Sequence, residues 1–126
     1  MHALIIDDSR AMRRILQNIV QPLGFDVLEA ADGRQGLDQL YGAAEVEVVL
    51  VDWNMPVMDG LEFVRTVRNN PDYKTQKIVM VTTETEPERM ARALMAGVDE
   101  FVMKPFTPEI LIEKLKLIGV ALPTTV

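Results

Sequence analysis

Four polar sites follow short apolar segments along this chain of 126 residues. They are the acidic pair Asp7-Asp8, then Asp52, the pair Thr82-Thr83, and Lys104. Two carboxylates about 4 Å apart repel by roughly 4 kcal/mol at an effective dielectric near 20, so three carboxylates brought together require a compensating cation. Oxygen ligands with no histidine or cysteine nearby favour Mg²⁺, which keeps several waters when bound. The sequence therefore predicts a Mg²⁺ site wherever these acidic residues meet.

The same residue types suit phosphoryl transfer, whose loose transition state is stabilised mainly by positioning and by charge neutralisation. Asp52 can be the nucleophile that forms an acyl phosphate, while Lys104 balances the phosphoryl oxygens and the Thr82 hydroxyl donates a hydrogen bond. Taken alone, each residue has a simpler interpretation; Asp8, for example, could cap the first helix. The phosphoryl-transfer hypothesis therefore depends on the combination.

Short apolar runs bounded by turn residues predict the strands that position these side chains. The predicted strands are Ala3–Ile6, Phe25–Leu28, Val46–Val51, Ile78–Val81 and Phe101–Met103. Nearly continuous apolar strands are typical of a parallel sheet covered on both faces. Ligands bind such sheets outside the carboxyl ends of the strands, which is where the polar sites fall.

Segments with helical spacing separate the strands. They are Met12–Val20 after a Ser9 cap, Arg34–Tyr41, Leu61–Arg68, Met90–Ala96, and a last helix from Thr107-Pro108 through Ile118. Gly36 weakens the second helix, whereas Thr85 and Glu88 predict a capping box for the fourth and Gly97 predicts its end. Strand and helix alternate five times, so the predicted class is α/β, a doubly wound five-stranded parallel sheet with five helices.

The composition narrows the classes of function. With 13 basic and 19 acidic residues the net charge is −6, which disfavours the phosphate-backbone attraction on which nucleic-acid binding depends. Cysteine is absent, so thiolate metal sites, disulfides and cysteine nucleophiles are excluded. The apolar runs are too short for a signal peptide or a membrane span. We expect a soluble cytoplasmic protein with no nucleic-acid or membrane partner.

The segment from Val51 to Gly60, which reads VDWNMPVMDG, resembles the phosphorylation-site loop of response regulator receiver domains, and especially of CheY-type members. The acidic pair, Thr82 and Lys104-Pro105 match the family in the same order, and the likeness runs from about Leu4 to Ile118. The resemblance implies a CheY-like, flavodoxin-like strand order of 2-1-3-4-5. It also implies a receiver domain over residues 1–120, with residues 121–126 as a short C-terminal tail.

The resemblance implies a role for each residue of the acidic site. Asp52 would be the phosphoacceptor of a two-component system, and Lys104 would pair with the phosphoryl group. Asp7, Asp8 and Asp52 would hold Mg²⁺ together with the backbone carbonyl of Asn54. The protein would catalyse only its own phosphotransfer and autodephosphorylation, and would not be an enzyme that turns over free substrates.

The resemblance further implies a conformational switch. The Thr82 hydroxyl would move towards the phosphoryl group, and Phe101 would then turn inward. Chemotaxis members usually carry tyrosine at the Phe101 position, and phenylalanine cannot make the hydroxyl hydrogen bond, which argues against a motor-directed role. Asn54 and Glu84, two residues after the acceptor and the hydroxyl, would tune the acyl-phosphate lifetime. Lys104-Pro105 resembles the family's cis peptide bond.

A receiver domain implies two kinds of partner. A sensor histidine kinase or a phosphotransfer protein would supply the phosphoryl group, and a downstream protein would bind the surface formed by helix 4, strand 5 and helix 5. The residues Arg10, Arg13 and Arg14 give the first helix a basic face that resembles the family's kinase-docking surface, with a merely solvated face as the alternative. We expect a monomer or a weak dimer.

Three other classes share parts of the pattern. Haloacid-dehalogenase-type phosphatases also combine an aspartyl nucleophile with threonine, lysine and Mg²⁺. Their nucleophile lies on strand one in an Asp-x-Asp motif, whereas this chain has Asp7-Asp8-Ser9. A flavodoxin-like FMN carrier needs a donor-rich phosphate loop where the acidic pair stands. A receiver-fold interaction module independent of phosphorylation is the third alternative, and the full set of site residues argues against it.

Overall fold

Five parallel strands form the sheet in the computed structural model, which describes residues 1–123. The strands are β1 (His2–Ile6), β2 (Asp26–Ala30), β3 (Val46–Val51), β4 (Lys77–Thr82) and β5 (Glu100–Met103). They lie in the order β2-β1-β3-β4-β5, which confirms the expected topology. Of the expected C-terminal tail, residues 124–126 lie outside the described residues.

Five helices cover the two faces of this sheet. They are α1 (Arg10–Val20), α2 (Gly33–Gly42), α3 (Gly60–Asn69), α4 (Pro87–Ala96) and α5 (Pro108–Leu117), with short 3₁₀ turns at Gln21–Leu23 and Pro71–Tyr73. Buried residues of α1 and α5 pack on one face, and those of α2, α3 and α4 pack on the other. Over residues 1–123, none of these helices combines the length and apolar character that crossing a bilayer requires.

Strand β1 shows why the sheet is buried on both sides. Successive side chains of a strand point to opposite faces. Accordingly Leu4 and Ile6 join the core beneath α2 and α3, while Ala3 and Ile5 join the core beneath α1 and α5. All four side chains are fully buried. The continuous apolar sequence of β1 is thus explained by two cores that share one sheet.

The helix starts follow local side-chain chemistry at four of the five helices. Ser9, Asp32, Asp59 and Thr107 each accept a hydrogen bond from the backbone N–H three residues further on. The predicted capping box of Thr85 and Glu88 is wrong: the N-cap of α4 is Glu86, and its side chain makes no capping bond. Pro87 explains the difference, because its fixed φ suits the first helical position, which makes the preceding residue, Glu86, the N-cap. The predicted end at Gly97 is confirmed, with φ of 119°.

Helix α2, the weakest prediction, forms because its glycines allow close packing on the sheet. A Cβ placed on Gly36 would lie 2.5 Å from Cδ1 of Ile6. Glycine lowers the helix propensity at this position by about 1 kcal/mol relative to alanine, but it lets α2 approach β1. The helix starts at Gly33, one residue before the predicted start, because Asp32 caps it.

Candidate functional site

Backbone hydrogen bonds carry the sheet one residue beyond three of its strands. The N–H of Asp7 donates to Ala30 at 3.1 Å, that of Asp52 donates to Ile6 at 2.9 Å, and that of Lys104 donates to Thr82 at 2.9 Å. Each polar residue is therefore fixed in register with the neighbouring strand. Because the strands are parallel, all of these side chains start from the same carboxyl edge of the sheet.

Three carboxylates meet at this edge. One oxygen from each of Asp7, Asp8 and Asp52 lies within 4.8 Å of the others. Asp7 is buried, the Asp52 side chain is 12% exposed, and Asp8 is exposed to solvent. A set of carboxylate oxygens that faces solvent on one side matches the ligands Mg²⁺ and Ca²⁺ prefer, and Asp8 leaves an approach for a hydrated ion.

Lys104 provides a compensating charge within this cluster. Its Nζ lies 3.1 Å from Oδ2 of Asp7 and 3.5 Å from Oδ1 of Asp52. The other oxygen of Asp7 accepts a hydrogen bond from the backbone N–H of Ser9 at 2.9 Å. One ammonium group beside three carboxylates leaves a formal charge of −2, so the site still attracts cations.

Burial and neighbouring charges both act on the pKa of Asp52. Burial is the main cause that raises the pKa of Asp52 above its ordinary value, and the negative charge of Asp7 adds to the rise. The ammonium of Lys104 and the N–H of Trp53, which donates to Oδ1 at 2.8 Å, oppose the rise in this pKa. The net shift is upward, so the fold pays free energy to hold an ionised carboxylate here.

The Thr82 hydroxyl lies at the same edge, at the end of β4. Its side chain is fully buried, and its Oγ1 accepts a hydrogen bond from the backbone N–H of Glu84 at 3.1 Å. The hydroxyl proton stays free to point towards another acceptor, because a hydroxyl donates and accepts at once. Thr82 therefore offers one hydrogen-bond donor on the strand next to Asp52.

The loop after Asp52 returns tightly onto its own strand. The N–H of Gly60 donates to the carbonyl of Trp53 at 2.8 Å, and a Cβ on Gly60 would lie 2.1 Å from the carbonyl oxygen of Asp52. Only glycine fits there, since a backbone carbonyl cannot move aside cheaply. Asp59 then caps α3, so the segment from Asp52 to Gly60 is held at both ends.

The family model described as "Response regulator receiver domain" matches residues 3–116 of the chain. The chain belongs to this family. Membership in the receiver-domain family agrees with the five-stranded order and with the acidic edge, and it does not favour the phosphatase or flavin-carrier alternatives. The resemblance inferred from the loop after Val51 is therefore confirmed.

Receiver domains of chemotaxis proteins are among its similar relatives. The chain is 44% identical over 119 residues to chemotaxis protein CheY1 of Helicobacter pylori, covering 94% of this chain and 96% of the relative. It is 47% identical over 117 residues to a chemotaxis protein CheY homolog of Campylobacter jejuni, covering 92% and 90%. The solved structure of chemotaxis response regulator CheY4 of Vibrio cholerae superposes with a TM-score of 0.85 at 39% identity, covering 93% and 97%.

The remaining candidate residues of the receiver domain occupy two environments. Asn54 is exposed on the loop beyond Asp52, and Glu84 is half-buried beside the site. Phe101 is 7% exposed and packs with the core beneath α4. The Lys104–Pro105 peptide bond is cis, as the resemblance implied.

The basic face of α1 differs from the expectation in one respect. Arg13 is not a free docking residue: it donates to the carbonyl of Asp7 at 2.6 Å and to Oε1 of Glu29 at 3.1 Å. It therefore ties α1 to the site strand and to β2. Arg10 and Arg14 are exposed to solvent. No pattern in the sequence indicates this division, because contacts across the sheet edge depend on tertiary placement.

Two structural features beside the site were not predicted from the sequence. The guanidinium of Arg89 lies 4.8 Å from the ring centroid of Trp53. Val57 lies in the acceptor loop, the segment from Asp52 to Gly60; it has a φ of 68° and is 81% exposed. A β-branched residue with positive φ is a genuine outlier. No sequence motif predicts either feature. A positive φ like that of Val57 is usually found at asparagine or glycine.

Proposed function

We propose that this receiver domain accepts a phosphoryl group on Asp52 from a phosphohistidine of a sensor histidine kinase or phosphotransfer protein. The observation that supports the proposal is the meeting of Asp7, Asp8 and Asp52 at one sheet edge with Lys104 between two of them. We propose that the protein catalyses only its own phosphotransfer and autodephosphorylation and does not turn over free phosphate esters.

The proposed transfer is a simple displacement at phosphorus. An oxygen of the Asp52 carboxylate forms the new P–O bond while the P–N bond to the donor imidazole breaks, and the imidazole keeps the electron pair and takes a proton from solvent. Lys104 would pair with an equatorial oxygen, and the Thr82 hydroxyl would move towards the phosphoryl group and donate to another. Hydrolysis of the aspartyl phosphate later returns Asp52 and inorganic phosphate.

The donor set fits Mg²⁺, since it consists of oxygen atoms and carries excess negative charge. Asp7, Asp8 and Asp52 would hold the ion together with the backbone carbonyl of Asn54. Bound Mg²⁺ would supply positive charge to the phosphoryl oxygens. Asn54 and Glu84 are proposed to tune how easily water reaches the acyl phosphate.

The proposed output is a protein contact in a chemotaxis-type pathway in the cytoplasm, because the similar relatives are named chemotaxis proteins. The proposed surface consists of α4, β5 and α5, where Leu94 and Met95 are 52% and 89% exposed. Phe101 lies beneath this surface and links it to the site through β5. The net charge of −6 opposes direct nucleic-acid binding.

Trp53 provides a direct test, since it is the only tryptophan and follows Asp52. We expect Mg²⁺ to change its fluorescence, and acetyl phosphate or beryllofluoride with Mg²⁺ to change it again. Asp52→Asn should abolish the second change while circular dichroism shows an intact fold. A second change of equal size in Asp52→Asn would overturn the assignment of the acceptor.

A further inference from the structure

Arg89 joins two segments that border the acceptor site. It lies in the first turn of α4, with its guanidinium 4.8 Å from the ring centroid of Trp53 and its Nη1 3.5 Å from Oε2 of Glu84. Trp53 is 2% exposed, whereas the Arg89 side chain is 41% exposed. Arg89 therefore forms part of the cover over the tryptophan next to the acceptor.

These contacts continue to both reactive side chains. The N–H of Trp53 donates to Asp52, and the N–H of Glu84 donates to the hydroxyl oxygen of Thr82. The Glu84 carboxylate also accepts the N–H of Glu86 at 3.3 Å, which closes the loop before α4. Glu84 is therefore in contact with both the Thr82 hydroxyl and the Arg89 guanidinium.

We propose that Arg89 is a positioning residue for the reaction at Asp52. By stacking on Trp53 and pairing with Glu84, it holds the loop of residues 83–86 in the resting arrangement. In the proposed function the Thr82 hydroxyl moves towards the phosphoryl group, and its hydrogen bond from the Glu84 N–H links that movement to this loop. Arg89 therefore raises the free energy of the phosphoryl-bound state. This inference rests on the proposed function and assigns a regulatory contact of the same site.

Arginine suits this role because its planar guanidinium can stack on an aromatic ring while its N–H groups pair with a carboxylate. A stacking contact and an ion pair that are both partly exposed are individually weak. Their combined loss should shift the equilibrium between the two loop arrangements by about three- to tenfold. Such a shift suffices to tune a switch without locking it.

The test titrates beryllofluoride at saturating Mg²⁺ into the full chain and follows Trp53 fluorescence. Arg89→Ala should lower the midpoint concentration of beryllofluoride about three- to tenfold. In the unliganded variant the Trp53 emission maximum should move to longer wavelength, because water reaches the uncovered ring. Arg89→Gln, which keeps a comparable side-chain length without the charge, should shift the midpoint in the same direction and serves if the alanine variant folds poorly.

Arg92→Ala is the matched control, because Arg92 is an exposed arginine of the same helix. It should leave both the midpoint and the emission maximum unchanged. In a Glu84→Gln background the effect of Arg89→Ala should shrink, which a loss of general helix stability would not produce. An Arg89→Ala variant that matches the unsubstituted protein in midpoint and emission would overturn the inference alone. A complete lack of beryllofluoride response in the unsubstituted protein would overturn the proposed function as well.

Discussion

Asp52 combines the geometry of a nucleophile with an environment that disfavours its charge. Burial and the neighbouring Asp7 raise its pKa, while Lys104 and the Trp53 N–H keep the carboxylate form accessible. A site of this kind stores unfavourable free energy that an added cation or a phosphoryl group can relieve. Because these causes oppose one another, the charge of Asp52 depends on its neighbouring charges.

Asp52→Asn should therefore stabilise the metal-free protein. Because the pKa of Asp52 is higher in the folded protein than its ordinary value of 3.8, the folded state binds this proton more tightly, and stability falls as pH rises through the range between the two values. At pH 7 the full cost is present, so the substitution should raise the free energy of unfolding by on the order of 1 kcal/mol.

The measurement is urea unfolding with a chelator at pH 7 and again well below pH 3.8. There Asp52 is protonated in both the folded and the unfolded state, and the gain should vanish. Asp38→Asn is the control, since Asp38 is exposed on α2 and should show little change. A destabilised Asp52→Asn at pH 7 would contradict the charge argument.

Lys104→Ala should separate metal binding from phosphoryl binding. The ammonium lies 3.1 Å from Asp7, so its removal takes away a competing cation, and the Mg²⁺ midpoint followed by Trp53 fluorescence should stay equal or fall. Beryllofluoride affinity should drop by about tenfold or more, because one charge-assisted hydrogen bond is lost. Lys116→Ala, an exposed lysine of α5, should change neither midpoint. A normal beryllofluoride response in Lys104→Ala would show that the assigned role is wrong.

Val57 holds strain that a substitution can release. Its φ of 68° costs a β-branched residue roughly 1–2 kcal/mol, whereas asparagine tolerates this conformation. Val57→Asn should raise the free energy of unfolding by about 1 kcal/mol in thermal or urea unfolding. Val57→Thr keeps the β-branch and should give no comparable gain. Equal stabilities for the two variants would contradict the strain argument.

The acidic side chains were predictable from the sequence, whereas their bridging contacts were not. Asp7, Asp52 and Lys104 each follow an apolar strand, and strand direction alone brings such positions to one edge. The stacking of Arg89 on Trp53 and the two bonds of Arg13 depend on how α4 and α1 dock against the loops. Side chains that reach across elements leave no periodic signal in the sequence.

Helices and strands were placed well where local chemistry and burial agree. The caps at Ser9 and Thr107 and the end at Gly97 follow residue preferences that operate within one turn. The start of α4 was misplaced, because Pro87 set the boundary in place of the threonine cap. Helix α2 looked weak because propensity penalises Gly36, and the close packing on Ile6 that favours glycine is a tertiary effect.

The junction between β3 and α3 should be intolerant of any side chain at Gly60. Alanine there would place its Cβ 2.1 Å from the Asp52 carbonyl oxygen, so the acceptor loop must shift. Gly60→Ala should lower the free energy of unfolding by about 3 kcal/mol in urea unfolding. Gly42→Ala is the matched control: a Cβ there meets nothing within 4 Å, and alanine should stabilise α2 by up to about 1 kcal/mol. Similar effects of the two substitutions would contradict this account of the junction.

At the scale of the whole molecule, β5 and α4 connect the acidic edge of the sheet to the proposed output surface. Strand β5 carries Phe101 at 7% exposure, pairs with β4, and is followed directly by Lys104. Helix α4 begins after the loop that holds Glu84 against Arg89 and presents Leu94 and Met95 to solvent. A change at the acceptor therefore has short covalent and packed routes to the proposed output surface.

The identity of the residue that receives the phosphoryl group is the central test of the proposed function. The chain should be incubated with acetyl phosphate and Mg²⁺, reduced with borohydride to convert an acyl phosphate to the alcohol, and mapped by peptide mass spectrometry. We predict that the converted residue is Asp52, and that a chelator or Asp52→Asn prevents the conversion. Conversion at another aspartate, or phosphate found only on Thr82 or Thr83, would contradict the central claim.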